Sequence, residues 1–305
     1  MFSGLTVNPP VIEKIQTEWC AAIDFSVLRL DLVYPQLGGN KLFKLLPNID
    51  VARRLGKKSL ASFGGAYSNH LRALAAAGKI FDIKTVGFVR GEIITPLNPV
   101  LEFAVSQGME LIPVSRTAYR NKHTAAFLAQ IRKNFNDPYI IPEGGSNLHG
   151  VRGCMEIAKF LLETADDKKR VVMLACGTGA TMSGLIAGLH SRAASETRVI
   201  GIAVLKAPGY IEKQVQKFTE ELTSGAAAYP VEWQVLDDFH CGGYGKTSVE
   251  LNTFIDTWQA SSHVPIEPVY TGKMFWAVKQ LCENGFFAEG SEVVLIHTGG
   301  VYACQ

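Results

Sequence analysis

Two glycines and an asparagine precede a lysine at Gly38-Gly39-Asn40-Lys41, the opening of the stretch "GGNKLFKL". The stretch follows a strand-like run, "FSVLRLDLVYPQL". An amine at such a strand-to-helix junction can form a Schiff base with a carbonyl if its surroundings keep it neutral and fixed. Taken alone, the same residues also fit a solvated surface lysine. Three further glycine turns stand at strand ends: "FGGAYSNH" (63–70), "CGTGATMSG" (176–184) and "HTGG" (297–300). Ligands of α/β sheets sit outside the carboxyl ends of the strands, so these turns can converge on one cleft.

The turn at 176–184 is the most informative. Gly177 and Gly179 permit tight turning, Thr178 and Thr181 offer hydroxyls, and a helix is expected to begin near Ala180. Free N–H groups and the helix dipole favour an anion there. No Gly-Lys-Ser/Thr follows, so the turn is not a Walker A loop. The glycine spacing is wrong for a dinucleotide fingerprint, and the next strand, "RVIGIAVLK", ends in Lys206 where a ribose-binding acid would stand. In "GAYSNH", Ser68 and Asn69 are either helix caps or ligand contacts. Ser68 lacks the Gly-x-Ser-x-Gly elbow of a hydrolase nucleophile. A fixed lysine beside an anion cup points to pyridoxal 5'-phosphate, whose aldehyde takes an amine and whose phosphate suits a helix N-terminus.

The elements that must position these residues alternate. "KSLASFGG", "KTVGFVRG", "ELIPVS", "YIIPEGGSN", "RVVMLACGTG", "RVIGIAVLK" and "SEVVLIHTGG" read as strands, and helix-like segments separate most of them. Continuous apolar runs such as "VVMLA" and "VVLI" predict strands covered on both faces. The expected class is α/β, with two lobes, each an open twisted, mostly parallel sheet flanked by helices. No linker interrupts the chain, so the smaller lobe, 46–150, is expected to be inserted into a larger cofactor-binding lobe formed by 1–45 and 151–305.

Composition narrows the partners. The 305 residues carry a formal charge of +2 and are 47% hydrophobic, a balance that does not suggest nucleic-acid binding. No apolar run is long enough for a membrane span, and the first residues do not read as a secretory signal, so a cytoplasmic protein is expected. Six scattered cysteines (Cys20, Cys154, Cys176, Cys241, Cys282 and Cys304) include no CxxC pair, so neither a disulfide framework nor a metal site is expected. Asp237–Asp238 reads as a solvated turn. His123 and, on its own, His70 read as ordinary helix histidines.

Taken in order, "GGNKLFKL", "SFGGAYSNHLRALAAAG", "GTGATMSG" and "EPVYTGKMFWAV…GFFAEGSEVVLIHTGG" resemble the 1-aminocyclopropane-1-carboxylate deaminase/D-cysteine desulfhydrase family, within the tryptophan-synthase-β-like (fold type II) pyridoxal-phosphate enzymes. The resemblance spans about residues 25–300. It implies that Lys41 is the Schiff-base lysine and that Lys44 serves the phosphate region. Ser68 and Tyr270 would assist proton transfer, and Asn69 would approach the cofactor's phenolic oxygen. Gly177, Thr178, Gly179, Ala180 and Thr181 would hold the phosphate. Ser68, Asn69, His70, His240 and Tyr244 would face the substrate. The resemblance also implies a homodimer.

Where ring-opening members of that family carry Glu and Leu, this chain has Thr271 and Thr298, and His240 replaces a second tyrosine while Tyr244 is kept. Threonines at both places resemble the desulfhydrase branch. A threonine hydroxyl can donate to a neutral pyridine nitrogen, where a carboxylate would keep that nitrogen protonated. The implied activity is therefore α,β-elimination from a small amino acid, giving a 2-oxo acid and ammonia, with sulfide as the leaving group. The alternatives are 1-aminocyclopropane-1-carboxylate deamination, a non-catalytic metabolite binder and a nucleotide-dependent oxidoreductase.

Overall fold

The computed structural model describes residues 5–163, 169–194, 196–223 and 231–303. Cys304 and the first four residues lie outside this set. Ten strands are present among the described residues: β1 (Ile12–Ile15), β2 (Asp24–Arg29), β3 (Ser59–Gly64), β4 (Lys84–Arg90), β5 (Glu110–Val114), β6 (Tyr139–Ile140), β7 (Arg170–Cys176), β8 (Thr197–Ala203), β9 (Trp233–Leu236) and β10 (Glu292–His297). They form a six-stranded sheet in the order β1-β2-β10-β7-β8-β9 and a four-stranded sheet in the order β5-β4-β3-β6. Every pairing is parallel except β1 with β2. The strands of the small sheet lie between positions 59 and 140; those of the large sheet precede 29 or follow 170.

The apolar runs behave as two-sided core strands. All six residues of β3 are buried, as are Val172, Met173 and Leu174 in β7 and Val293 to Ile296 in β10. Helices cover them. Leu42, Phe43, Leu45, Leu46 and Ile49 of the helix Asn40–Arg54 enter one apolar cluster together with Leu185, Ile186 and Leu189 of the helix Ala180–His190. Met274, Phe275 and Val278 of the helix Thr271–Glu283 pack on the other face of the large sheet, with Val27, Met173 and Ile200. The helix Asn40–Arg54, expected after the strand-to-helix junction at Lys41, carries Pro47 inside it. Between β6 and β7 the chain forms two short helices, Leu148–Cys154 and Glu156–Leu162.

Candidate active site

The carboxyl ends of both sheets open onto one cavity of about 250 Å³. Lys41, Lys44, Ser68, Asn69, His70, Gly177, Thr178, Gly179, Thr181, Tyr244, Tyr270 and Thr298 all line it. Four glycine turns more than 250 residues apart in sequence at their extremes thus meet, as their strand-end positions required.

The first turn is locked to the last. The Asn40 N–H donates to the Thr298 carbonyl at 3.1 Å. Gly39 sits at φ +57°, and a Cβ on it would lie 2.1 Å from the Thr298 oxygen, so only glycine permits this approach. Beyond it, a Cβ on Gly300 would lie 2.4 Å from Asn69 Nδ2, so this glycine leaves room for the asparagine side chain. His297 anchors the same turn from behind: its Nε2 is 2.6 Å from the Pro265 carbonyl and its Nδ1 is 3.0 Å from Asp31. Burial alone would raise the Asp31 carboxyl, but hydrogen bonds from His297 and Arg29 outweigh it and hold the group at about 2.

Lys41 is the second residue of the helix Asn40–Arg54 and is half-buried beside the cavity. Its Nζ donates to Asn40 Oδ1 at 2.7 Å. Burial, together with the charge on Lys44, pulls the amine down to about 7. Both effects oppose a second positive charge in a confined space, and the neutral amine is the form that attacks a carbonyl. Lys44, one helical turn on, is buried and donates to the Gly144 carbonyl at 3.2 Å.

The turn expected to hold an anion opens directly into a helix. Gly179 precedes the helix Ala180–His190 at φ +76°, and the first N–H groups of a helix have no intrahelical acceptor. Asn40 Nδ2 donates to Thr181 Oγ1 at 2.9 Å, and Ser146 Oγ donates to Thr178 Oγ1 at 2.6 Å. One asparagine therefore joins the lysine to the cup. Asn40 and Ser146 were missed in the sequence, although Asn40 is part of "GGNK" itself. The residues fit pyridoxal phosphate: a neutral amine for the aldehyde, a glycine cradle with free donors for the phosphate, and the Thr298 hydroxyl group on the cavity wall.

Ser68 is the N-cap of the helix Asn69–Phe81, accepting from the Leu71 N–H at 3.2 Å. Capping and a place in the cavity coexist, so the two sequence readings are not exclusive. His70 is 3% exposed. Ser62 Oγ donates its one hydrogen to the Ile141 carbonyl at 2.7 Å, so at 2.9 Å it accepts from His70 Nε2. Nε2 then carries the ring proton, and Nδ1, which has no partner among the described residues, is a bare acceptor. Burial, then the charges of Lys41 and Lys44, hold this imidazole well below the usual histidine range, in agreement with a neutral ring. His70 is thus a buried part of the site, not a helix-surface residue.

Tyr270 and Tyr244 meet edge to face with ring centroids 5.9 Å apart. Burial first, and then the contact with Tyr244, push the Tyr270 phenol well above its ordinary value, so it is held protonated. The Tyr270 hydroxyl is paired with Tyr244 and Ser68 Oγ with Leu71, so the two expected proton carriers share the cavity with separate partners.

Two expectations need correction. Thr271 does not face the cavity. Its Oγ1 accepts from the Glu267 N–H at 3.0 Å and donates to the Glu267 carboxylate at 3.3 Å, because that buried carboxylate caps the helix Thr271–Glu283 through the N–H groups of Val269, Tyr270 and Thr271. Thr298 is the threonine that lines the wall. His240 is also not among the lining residues. Its Nδ1 accepts from the Gly242 N–H at 2.9 Å, closing its own loop. Ala180 enters only as the first residue of its helix, with the side chain buried.

With that geometry in place, likeness to known proteins gains meaning. Residues 24–299 match the family described as "Pyridoxal-phosphate dependent enzyme", and the chain belongs to it. It is similar to the D-cysteine desulfhydrase of Yersinia enterocolitica, 27% identical over 91% of this chain and 86% of that one. It is 26% identical to a putative 1-aminocyclopropane-1-carboxylate deaminase of Pyrococcus horikoshii, over 91% of this chain and 85% of the relative. The mitochondrial bifunctional D-cysteine desulfhydrase/1-aminocyclopropane-1-carboxylate deaminase of Arabidopsis thaliana is 27% identical, over 90% and 72%. A crystal structure of an ACC deaminase homologue superimposes with a TM-score of 0.83 at 25% identity, covering 97% of this chain and 90% of that one. The fold type II architecture and the pyridoxal-phosphate cofactor expected from the sequence are thereby established for this chain.

Proposed function

We propose that the chain is a lyase of the D-cysteine desulfhydrase kind, which eliminates a β-substituent from a small amino acid and releases a 2-oxo acid and ammonia. One observation carries this choice: Thr271, where ring-opening members carry Glu, offers no carboxylate and is bonded to Glu267, while Thr298 stands on the cavity wall where they carry Leu. Among the described lining residues, Glu143 is the only acid, and it is held by Lys122 at 3.3 Å. When bound, pyridoxal phosphate supplies an aldehyde for amines and a conjugated ring that delocalises the electron pair left at the substrate Cα.

The chain's residues supply the rest. Lys41 would offer its amine to the aldehyde and would take the proton from Cα of a D-amino acid. Ser68 and Tyr270 serve the opposite face, with the Tyr270 phenol holding its proton for donation. The 177–181 turn and Lys44 would hold the phosphate, and Asn69 would serve the phenolic oxygen. The N-terminus of the helix Asn69–Phe81 receives the substrate carboxylate. Substrate contact comes from Ser68, Asn69, His70 and Tyr244.

A panel of D- and L-amino acids with 1-aminocyclopropane-1-carboxylate, scored for 2-oxo acid and sulfide, tests this. Sulfide from D-cysteine at a rate well above ring opening is expected; turnover of the cyclopropane substrate alone would reverse the choice. No helix of the described residues is long and apolar enough to cross a membrane. We also propose a homodimer, as the resemblance implies, and a cytoplasmic location, which the five described free thiols favour. The division into 1–45 with 151–305 and an inserted 46–150 is proposed on the two separate sheets. Light scattering and limited proteolysis test the assembly and the division.

A further inference from the structure

One cation of the cavity has no task in this scheme. Arg90 ends β4, and its neighbour in the sheet is β3, whose Gly64 pairs with Val89. That register sets Arg90 beside Gly65, at the start of the turn leading to Ser68 and Asn69. A Cβ on Gly65 would lie 3.8 Å from Arg90 Nη2. The guanidinium therefore stands on the substrate side of the cavity, across from the 177–181 cup, and it lines the cavity wall. Among the described residues no carboxylate comes within 4.0 Å of it, and the centroid of the Tyr119 ring is 5.9 Å away. Glu143, the acid on the same wall, is already paired with Lys122.

Depth separates Arg90 from the substrate α-carboxylate. That group lies two bonds from the amino nitrogen, so it sits near the half-buried Lys41 and the first N–H groups of the helix Asn69–Phe81. Arg90 is exposed at the rim and so faces the far end of a bound amino acid. An arginine fork without an acid of its own matches a carboxylate or another planar anion.

We propose that Arg90 is a specificity-determining residue, which selects amino acids whose β-substituent ends in an anionic group. This rests on the elimination reading only for its catalytic arm. There, S-carboxymethylcysteine plus water gives a 2-oxo acid, ammonia and the free thiol mercaptoacetate: the Cα–H and Cβ–S bonds break, and the sulfur leaves with the electron pair and is protonated.

The test uses holoenzyme and matched pairs, each as D and L enantiomers. S-carboxymethylcysteine and its side-chain amide differ in charge but hardly in shape, and thiol release gives kcat/KM. 2-Aminoadipate and its side-chain amide replace sulfur by CH2 and cannot eliminate, so calorimetry gives Kd without turnover. The wild type should favour the anionic member of each pair at least about tenfold, or about 1.4 kcal/mol. Arg90→Gln should bring that ratio to within about twofold, and Arg90→Lys should keep part of it; the lysine variant carries the test if the glutamine variant loses its melting transition. Absence of discrimination by the wild type overturns the proposal, as does an equal loss for both members in Arg90→Gln. Discrimination in Kd without any thiol release upholds Arg90 and sinks the elimination reading. Thiol release without discrimination does the reverse.

Discussion

Two lysines of this protein are both lowered by burial yet end with different partners. Lys273, fully buried in the helix Thr271–Glu283, donates to the carbonyls of His240 and Gly243, each at 2.8 Å. Lys41 has a single amide oxygen, Asn40 Oδ1, and a second lysine beside it. Burial lowers both amines. Only Lys41 also opens onto the cavity at the carboxyl ends of the strands. Burial alone, then, does not make a reactive amine. Two carbonyls occupy the hydrogens of Lys273 and tie it to the loop that carries Tyr244. Lys41 is left with little to hold its proton and a wall of donors opposite, so its lone pair is available.

Four experiments can break or sharpen that contrast. Lys41→Ala should abolish the visible absorption of the lysine-linked cofactor near ~420 nm. It should also cut turnover by more than the ~10²–10⁴-fold that proton transfer alone supplies. If the band survives, the two lysines have been assigned to the wrong roles. Ser68→Ala should keep the cofactor but lose about 10²–10⁴-fold in turnover, and the lost N-cap should cost about 1 kcal/mol of stability in a denaturant titration. Lys273→Met should leave the cofactor absorption in place and lower the unfolding free energy by about 1–3 kcal/mol, since its carbonyl partners lose a donor. Loss of the absorption in that variant would erase the distinction.

The smallest effect concerns pH. Lys41 in the folded apoprotein sits at about 7, below its ordinary value, so its neutral form grows as pH rises through that point. Uptake of pyridoxal phosphate by the apoprotein, followed by absorbance, should speed up by about tenfold between pH 6 and pH 8. The same sign applies to stability. The unfolded chain binds the extra proton between about 7 and 10.5, so apoprotein stability gains from this group as pH rises across that window. A flat uptake profile would mean that Lys41 is not the titrating amine.

Much of the site was legible because its residues announce local chemistry. Gly177, Thr178, Gly179 and Thr181 stand between an apolar strand and a helix, and such a junction has few uses other than turning or holding an anion. "GGNK" and "HTGG" were recognisable turns at strand ends. The alternation of strands and helices gave the parallel sheets, and the antiparallel β1 escaped notice because its four residues, Ile12–Ile15, are too short to signal pairing direction. Thr271 and His240 were misplaced for one shared reason. A motif gives the order of side chains but not which buried acceptor they must satisfy. Glu267 claims the hydroxyl of Thr271, and the Gly242 N–H claims the ring of His240. Asn40, Ser146 and Arg90 were overlooked because their significance lies in what they touch across the fold.

The amino-acid order by itself determined the class of architecture and, through the family its motifs resemble, the cofactor, since each motif depends on residue types within a few positions of one another. Only the tertiary structure decided which threonine reaches the cavity, which nitrogen of His70 carries the proton and which cation remains unanswered at its rim. Those depend on distances between groups brought together from separate sheets, where a few tenths of an ångström and one competing acceptor settle whether a side chain is spent or free.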